Sequence, residues 1–126
     1  MTIKKVLVID DESDIREVAK LCLEINSNWE VIEAESGKTG LALATAEKPD
    51  AILLDLMMPD MDGLATLEKL HENPITQNIP VILLTAKVQA TQEERYQTLG
   101  ISAILAKPFD PVNLAQRIAR ILKWST

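Results

Sequence analysis

Four short apolar runs punctuate the chain, and a polar residue waits at or just past the end of each. Val6-Leu7-Val8-Ile9 runs into Asp10-Asp11, Ala51-Ile52-Leu53-Leu54 into Asp55, Val81-Ile82-Leu83-Leu84 into Thr85, and Ala103-Ile104-Leu105 into Ala106-Lys107-Pro108. Continuous apolar runs of this length fit strands buried on both faces, as in a parallel sheet. A fifth segment, Trp29 to Ala34, is less apolar and reads as a strand at a sheet edge. Helical spacing fills the intervals. Ile15, Val18, Ala19 and Cys22 recur on one face, with Ser13 or Asp14 available as a cap. A second helix is predicted from about Thr39 to Ala46, after Gly37. Leu64, Leu67 and His71 share a face of a third, stopped by Asn73-Pro74. A polar fourth helix is predicted from about Thr91 to Leu99, ending at Gly100. The last runs from about Pro111 to Lys123, with Leu114, Ile118, Ile121 and Leu122 spaced for a core face. Strict strand–helix alternation implies an α/β fold: a doubly wound parallel sheet, with helices on both faces and right-handed crossovers.

In such sheets ligands sit outside the carboxyl ends of the strands. The residues expected there are Asp10, Asp11, Asp55, Thr85 and Lys107. A carboxylate at the end of a greasy strand is costly unless something compensates it. Three of them also repel one another, a conflict that a hard divalent cation removes. Mg²⁺ takes oxygen ligands and keeps several waters, so Asp10, Asp11 and Asp55 suit it. One oxygen of Asp55 would remain free to attack phosphorus, a known role of aspartate. Phosphoryl transfer spreads charge over the equatorial oxygens of the moving group. The metal would take one oxygen, Lys107 a second, and the Thr85 hydroxyl with a backbone N–H near Ala86 a third. No general base for water is evident, so the phosphoryl group should persist for a time.

Composition narrows the partners. The 126 residues fit one domain, spanning 1–126, that needs no disulfide or metal to fold. At 47% hydrophobic and 25% charged the chain is ordinary for a globular domain. A net charge of -6 argues against nucleic acid and against an anionic membrane surface. The single cysteine, Cys22, excludes an internal disulfide. With no apolar run of transmembrane length and no signal peptide, a cytoplasmic location is expected.

The chain resembles the receiver domain of two-component response regulators, of the single-domain chemotaxis type, from Lys5 to about Lys123. The resemblance rests on Val8-Ile9-Asp10-Asp11-Glu12, on Leu54-Asp55-Leu56-Met57-Met58-Pro59-Asp60-Met61-Asp62-Gly63, on Leu84-Thr85-Ala86 and on Ala106-Lys107-Pro108-Phe109. It implies a flavodoxin-like five-stranded sheet of order 2-1-3-4-5. It further implies that Asp55 is the phosphoacceptor, loaded from a phosphohistidine on a histidine kinase or phosphotransfer protein. Asp10 and Asp11 resemble the metal-binding pair, the Met57 carbonyl a third ligand, Lys107 the phosphoryl-contacting lysine and Thr85 the switch hydroxyl. The Lys107-Pro108 bond is expected to be cis. Such a protein is not an enzyme acting on other molecules; it catalyses its own phosphotransfer and dephosphorylation. One departure stands out: Ile104 occupies the position where the family often carries Tyr or Phe. Signalling would then use the loop after Thr85 and the polar fourth helix. If residues 1–126 are the whole protein, output is expected through a surface offered to an effector protein. The face made by the fourth helix, the fifth strand and the last helix is the expected surface, and it also admits a homodimer.

Other prominent residues have plainer readings. Asp60 and Asp62 shape the loop and cap the third helix, with Gly63 needed for the turn. Cys22 reads as a small core residue, and Trp29, Trp124 and Met58 as packing residues. Met57, Met58 and Met61 form no cofactor box. His71 sits near a helix C-terminus, where a cation is mildly favoured, and is not read as a phosphorelay histidine. Three rival functions are weaker. A flavin carrier would need a first loop that welcomes phosphate, whereas Asp10-Asp11-Glu12-Ser13-Asp14 repels it. An aspartyl phosphatase would carry a second acid two positions after its nucleophile, where Met57 stands. A degenerate receiver, binding partners without phosphorylation, would not need the intact set of Asp10, Asp11, Asp55, Thr85 and Lys107.

Overall fold

The computed structural model describes residues 3–27, 29–56, 63–85, 100–107 and 109–124. Five strands form one parallel sheet: β1 (Lys5–Ile9), β2 (Glu30–Ala34), β3 (Ala51–Asp55), β4 (Val81–Thr85) and β5 (Ala103–Ala106), in the order β2-β1-β3-β4-β5. Register runs Val8 against Glu33 and Leu53, Leu53 against Ile82, and Thr85 against Ala106. The less apolar β2 is an edge strand, as its composition predicts.

Because strand side chains alternate between faces, each apolar run feeds two cores. Val6, Val8, Leu53, Ile82 and Leu84 pack with Ala19 and Leu23 of helix α1 (Ser13–Ser27) and with Leu114 and Ile118 of the C-terminal helix (Leu114–Leu122). Leu7, Ile9, Ile52, Leu54 and Leu83 pack with Ala44 of α2 (Gly37–Glu47) and with Leu67 and Leu70 of α3 (Gly63–Glu72). Both faces of the central strands are therefore covered, which is why their sequences are apolar throughout. The helix predicted over 91–99 lies outside the described residues.

Two helices differ from expectation. On α1 the stripe that meets the sheet is Ile15, Ala19 and Leu23, while Val18 is 40% exposed and Cys22 only half-buried. Positions four apart stack along one line of a helix, and the larger Leu23 claims the core ahead of Val18. The entry to α1 is made by Asp10 and Glu12 rather than by Ser13 or Asp14. Asp10 Oδ1 accepts from the Glu12 N–H at 2.9 Å, and the Glu12 carbonyl accepts from the Arg16 N–H at 3.2 Å. The C-terminal helix begins at Leu114, not near Pro111. Asp110 absorbs the intervening residues in a turn, its Oδ1 accepting from the Val112 N–H at 3.0 Å and its Oδ2 from Asn113 Nδ2 at 2.7 Å.

The amino end of the sheet is closed by aromatics. Trp29 and Trp124 meet edge to face, centroids 5.2 Å apart, and Lys4 Nζ lies 4.9 Å from the Trp124 ring centroid. Both tryptophans are packing residues, as expected. Among the described residues no helix is long and apolar enough to cross a membrane.

Candidate functional site

The carboxyl end of the sheet gathers the charges. Asp10 is the first residue past β1, and its N–H extends the ladder by donating to the Ala34 carbonyl at 3.0 Å. Its side chain is fully buried. Oδ1 is engaged by the Glu12 N–H at 2.9 Å, whereas Oδ2 is turned into the enclosed interior of the site. The partner of Oδ2 is a charge: Lys107 Nζ, 2.7 Å away. The same ammonium lies 3.2 Å from Oδ1 of Asp55, the last residue of β3, which is 2% exposed. Lys107 follows β5, and its N–H donates to the Thr85 carbonyl at 2.8 Å. Thr85, the last residue of β4, is 5% exposed and pairs with Ala106 across the ladder.

Asp11 is exposed, yet one carboxylate oxygen from each of Asp10, Asp11 and Asp55 falls within 4.8 Å of the others. The set is three hard oxygen donors facing one ammonium. Burial works to lower the Lys107 pKa, but the adjacent Asp10 and Asp55 outweigh it and raise the value above ordinary lysine. Lys107 is therefore firmly an ammonium, and its charge is what permits two buried carboxylates beside it.

Gly63 explains how β3 can end so close to the start of α3. A Cβ there would stand 2.5 Å from the Asp55 carbonyl oxygen and 2.6 Å from Leu56 Cα. The requirement is close approach of backbone to backbone. The Gly63 N–H donates to the Leu56 carbonyl at 3.1 Å, and the Leu56 N–H to the Leu84 carbonyl at 3.1 Å, so the segment bearing Asp55 is tied on both sides.

Asp10, Asp11, Asp55 and Lys107 thus converge, with Thr85 one strand end away, next to the Lys107 backbone. Met57, Ala86 and the Lys107-Pro108 bond lie outside the described residues, as do Met58, Asp60, Met61 and Asp62. Ile104 is half-buried and packs against the core beneath α2 and α3. One participant escaped the sequence reading. Arg16 Nη1 donates to the Asp10 carbonyl at 2.7 Å, and Arg16 Nε lies 3.4 Å from Glu33 Oε1 on β2. No spacing rule joins residues 16 and 33; only the packing of α1 against β2 does. A shallow cleft on α1, lined by Glu17, Val18, Lys20, Leu21, Cys22, Glu24 and Glu33, contains none of the converging residues.

Comparison with known proteins agrees with this geometry. Residues 6–119 match the sequence model of the response regulator receiver domain. The chain is 35% identical over 120 residues to the phosphate regulon transcriptional regulatory protein PhoB of Pseudomonas aeruginosa, covering 95% of this chain and 52% of that protein. It is 42% identical over 124 residues to the response regulator PleD of Caulobacter vibrioides, covering 95% of this chain and 26% of that protein. The chain thus spans about half, or less, of the length of these curated relatives. Among solved structures, the chemotaxis protein CheY4 of Vibrio cholerae superimposes with a TM-score of 0.87 at 28% identity, covering 95% of this chain and 99% of that one.

Proposed function

Since the chain belongs to the response regulator receiver domain family, we propose that it acts as a phosphorylation-dependent switch of a two-component system, with Asp55 as the acceptor. The observation that carries the reading is the buried Asp55 carboxylate held 3.2 Å from the Lys107 ammonium and within 4.8 Å of the Asp10 and Asp11 oxygens. A carboxylate oxygen of Asp55 attacks the phosphorus of a phosphohistidine on a partner kinase or phosphotransfer protein. The P–N bond breaks, its electron pair stays on the imidazole, and an acyl phosphate forms on Asp55. The Lys107 ammonium, already beside Asp55, holds one oxygen of the transferred group, and the Thr85 hydroxyl with the Ala86 N–H holds another.

The donor set fits Mg²⁺: Asp10, Asp11 and Asp55 offer three hard oxygens within 4.8 Å of one another. The Met57 carbonyl completes the protein ligands in this reading. When bound, Mg²⁺ offsets the mutual repulsion of the carboxylates and the charge of the incoming phosphoryl oxygens. Residues 1–126 act as one receiver unit in the cytoplasm, and the phosphorylated surface is read by an effector protein.

Intact mass after incubation with acetyl phosphate tests the reading directly. A single phosphoryl adduct that requires both Mg²⁺ and Asp55, and is lost in Asp55→Ala, is the expected result. A folded wild-type protein that gains no mass under any condition would sink it and leave an interaction module independent of phosphorylation.

A further inference from the structure

We propose that Arg16 is a positioning residue for the acidic pair, clamping the turn that presents Asp10 and Asp11 to a divalent cation. The proposal deepens the receiver reading and rests on it. Arg16 grips this turn at two points. Its guanidinium donates from Nη1 to the Asp10 carbonyl at 2.7 Å, and its backbone N–H donates to the Glu12 carbonyl at 3.2 Å. These two carbonyls bracket Asp11. Asp11 is exposed, so the position of its carboxylate depends on the backbone that carries it. Asp10 has little slack of its own: its N–H is bonded to Ala34 and its Oδ1 to Glu12. The carbonyl is the remaining handle on this peptide, and Arg16 holds it.

The guanidinium is fixed in turn. Its Nε lies 3.4 Å from Glu33 Oε1 on β2, and the Arg16 side chain is only 16% exposed. Lys20 reaches the other Glu33 oxygen at 3.9 Å from a more open position. Glu33 pairs with Val8 in the β1–β2 ladder, so this anchor is built into the sheet. The arrangement needs a planar fork, one edge on a carbonyl and another facing a carboxylate. A lysine ammonium can reach one partner but does not reproduce both at fixed angles. Residues that orient metal ligands typically control affinity by about ten- to a hundredfold.

The test uses Mg²⁺ itself, titrated calorimetrically into the full chain, with amide hydrogen exchange at Asp11 and Glu12 recorded in metal-free protein. Wild type, Arg16→Lys, Arg16→Ala and Glu33→Gln are compared, each with its melting temperature. The expected pattern is about tenfold weaker Mg²⁺ binding in Arg16→Lys and a smaller loss in Glu33→Gln. Faster exchange at Glu12 in both, with melting close to wild type, completes the pattern. Acetyl phosphate labelling should slow at limiting Mg²⁺ and recover at saturating Mg²⁺. Unchanged Mg²⁺ affinity in a folded Arg16→Lys, even with lowered stability, would overturn the role given to Arg16 while leaving the receiver reading intact. A wild-type chain that neither binds Mg²⁺ nor gains a phosphoryl group would overturn both. Should Arg16→Ala fail to fold, Arg16→Lys and Glu33→Gln carry the decision.

Discussion

The two ends of the sheet solve opposite problems. At the amino end, Trp29 and Trp124 meet edge to face, Lys4 sits over a ring, and Asp50 Oδ2 accepts the Lys5 N–H at 2.8 Å. These contacts bury apolar area and satisfy polar groups. At the carboxyl end, two carboxylates are buried within reach of one another and share the Lys107 ammonium. That arrangement spends stability on a charge that is poised for chemistry. A buried pair is worth little against an apolar replacement, but removing one member is costly because the other is stranded. The lesson is that the same strands, uniformly apolar along their lengths, support a closed end and a reactive end through the residues that flank them.

The contrast can be broken most severely at Lys107. Lys107→Ala should lower the unfolding free energy by about 3–5 kcal/mol in metal-free buffer, measured by urea denaturation. Added Mg²⁺ should restore part of the loss, since a cation can again face the Asp10 and Asp55 carboxylates. The pH dependence has a definite sign. Lys107 has a raised pKa in the folded protein, so its contribution is fully present below the unfolded lysine value, about 10.4. It is lost as pH rises through the higher folded value. The stability gap between wild type and Lys107→Ala should therefore be constant through neutral pH and narrow in strong alkali. A gap that widened there would contradict the pairing.

Gly63→Ala comes next. The added Cβ meets backbone at 2.5 Å, which cannot yield without moving the end of β3. A loss of about 1–3 kcal/mol is expected, together with slower labelling of Asp55 by acetyl phosphate. Trp124→Ala sharpens the comparison from the other side. Removing a partly buried ring and its edge-to-face partner contact should cost about 1–2 kcal/mol. The acetyl phosphate labelling rate should stay at the wild-type value, because the amino end holds none of the converging residues. A matched fall in labelling would show that the two ends are coupled.

The smallest effect is expected at the helix ends. Lys48 and Lys123 close α2 and the C-terminal helix at φ 48° and 59°, the left-handed region that a side chain disfavours. Lys48→Gly and Lys123→Gly should each raise stability by a few tenths of a kcal/mol, up to about 1 kcal/mol, the relieved backbone strain exceeding the added chain entropy of glycine. Thermal melting resolves this, and a fall in melting temperature for both would contradict the strain argument.

Much of this molecule was legible in its residues. The apolar runs β1, β3 and β4 could be read as central strands because both of their faces are covered, and β2 as an edge because it is less apolar. Strand ends in a parallel sheet share one side, so Asp10, Asp11, Asp55 and Lys107 could be brought together before any coordinates. Other features were hidden because they depend on contacts between elements. The rotation of α1 that buries Leu23 and leaves Val18 out is a packing outcome, since both positions fit an apolar stripe. The late start of the C-terminal helix follows from an Asp110 turn that competes with helical bonding.

Local pattern by itself determined the strands, the parallel sheet and the side of it that carries the chemistry, because hydrophobic period and strand-end polarity are written residue by residue. Only the tertiary structure decided that one lysine serves both Asp10 and Asp55, that Gly63 is required by a backbone approach, and that Arg16 and Glu33 brace the acidic turn. Those facts are distances between residues far apart in sequence, and they exist only once the strands have paired and the helices have packed.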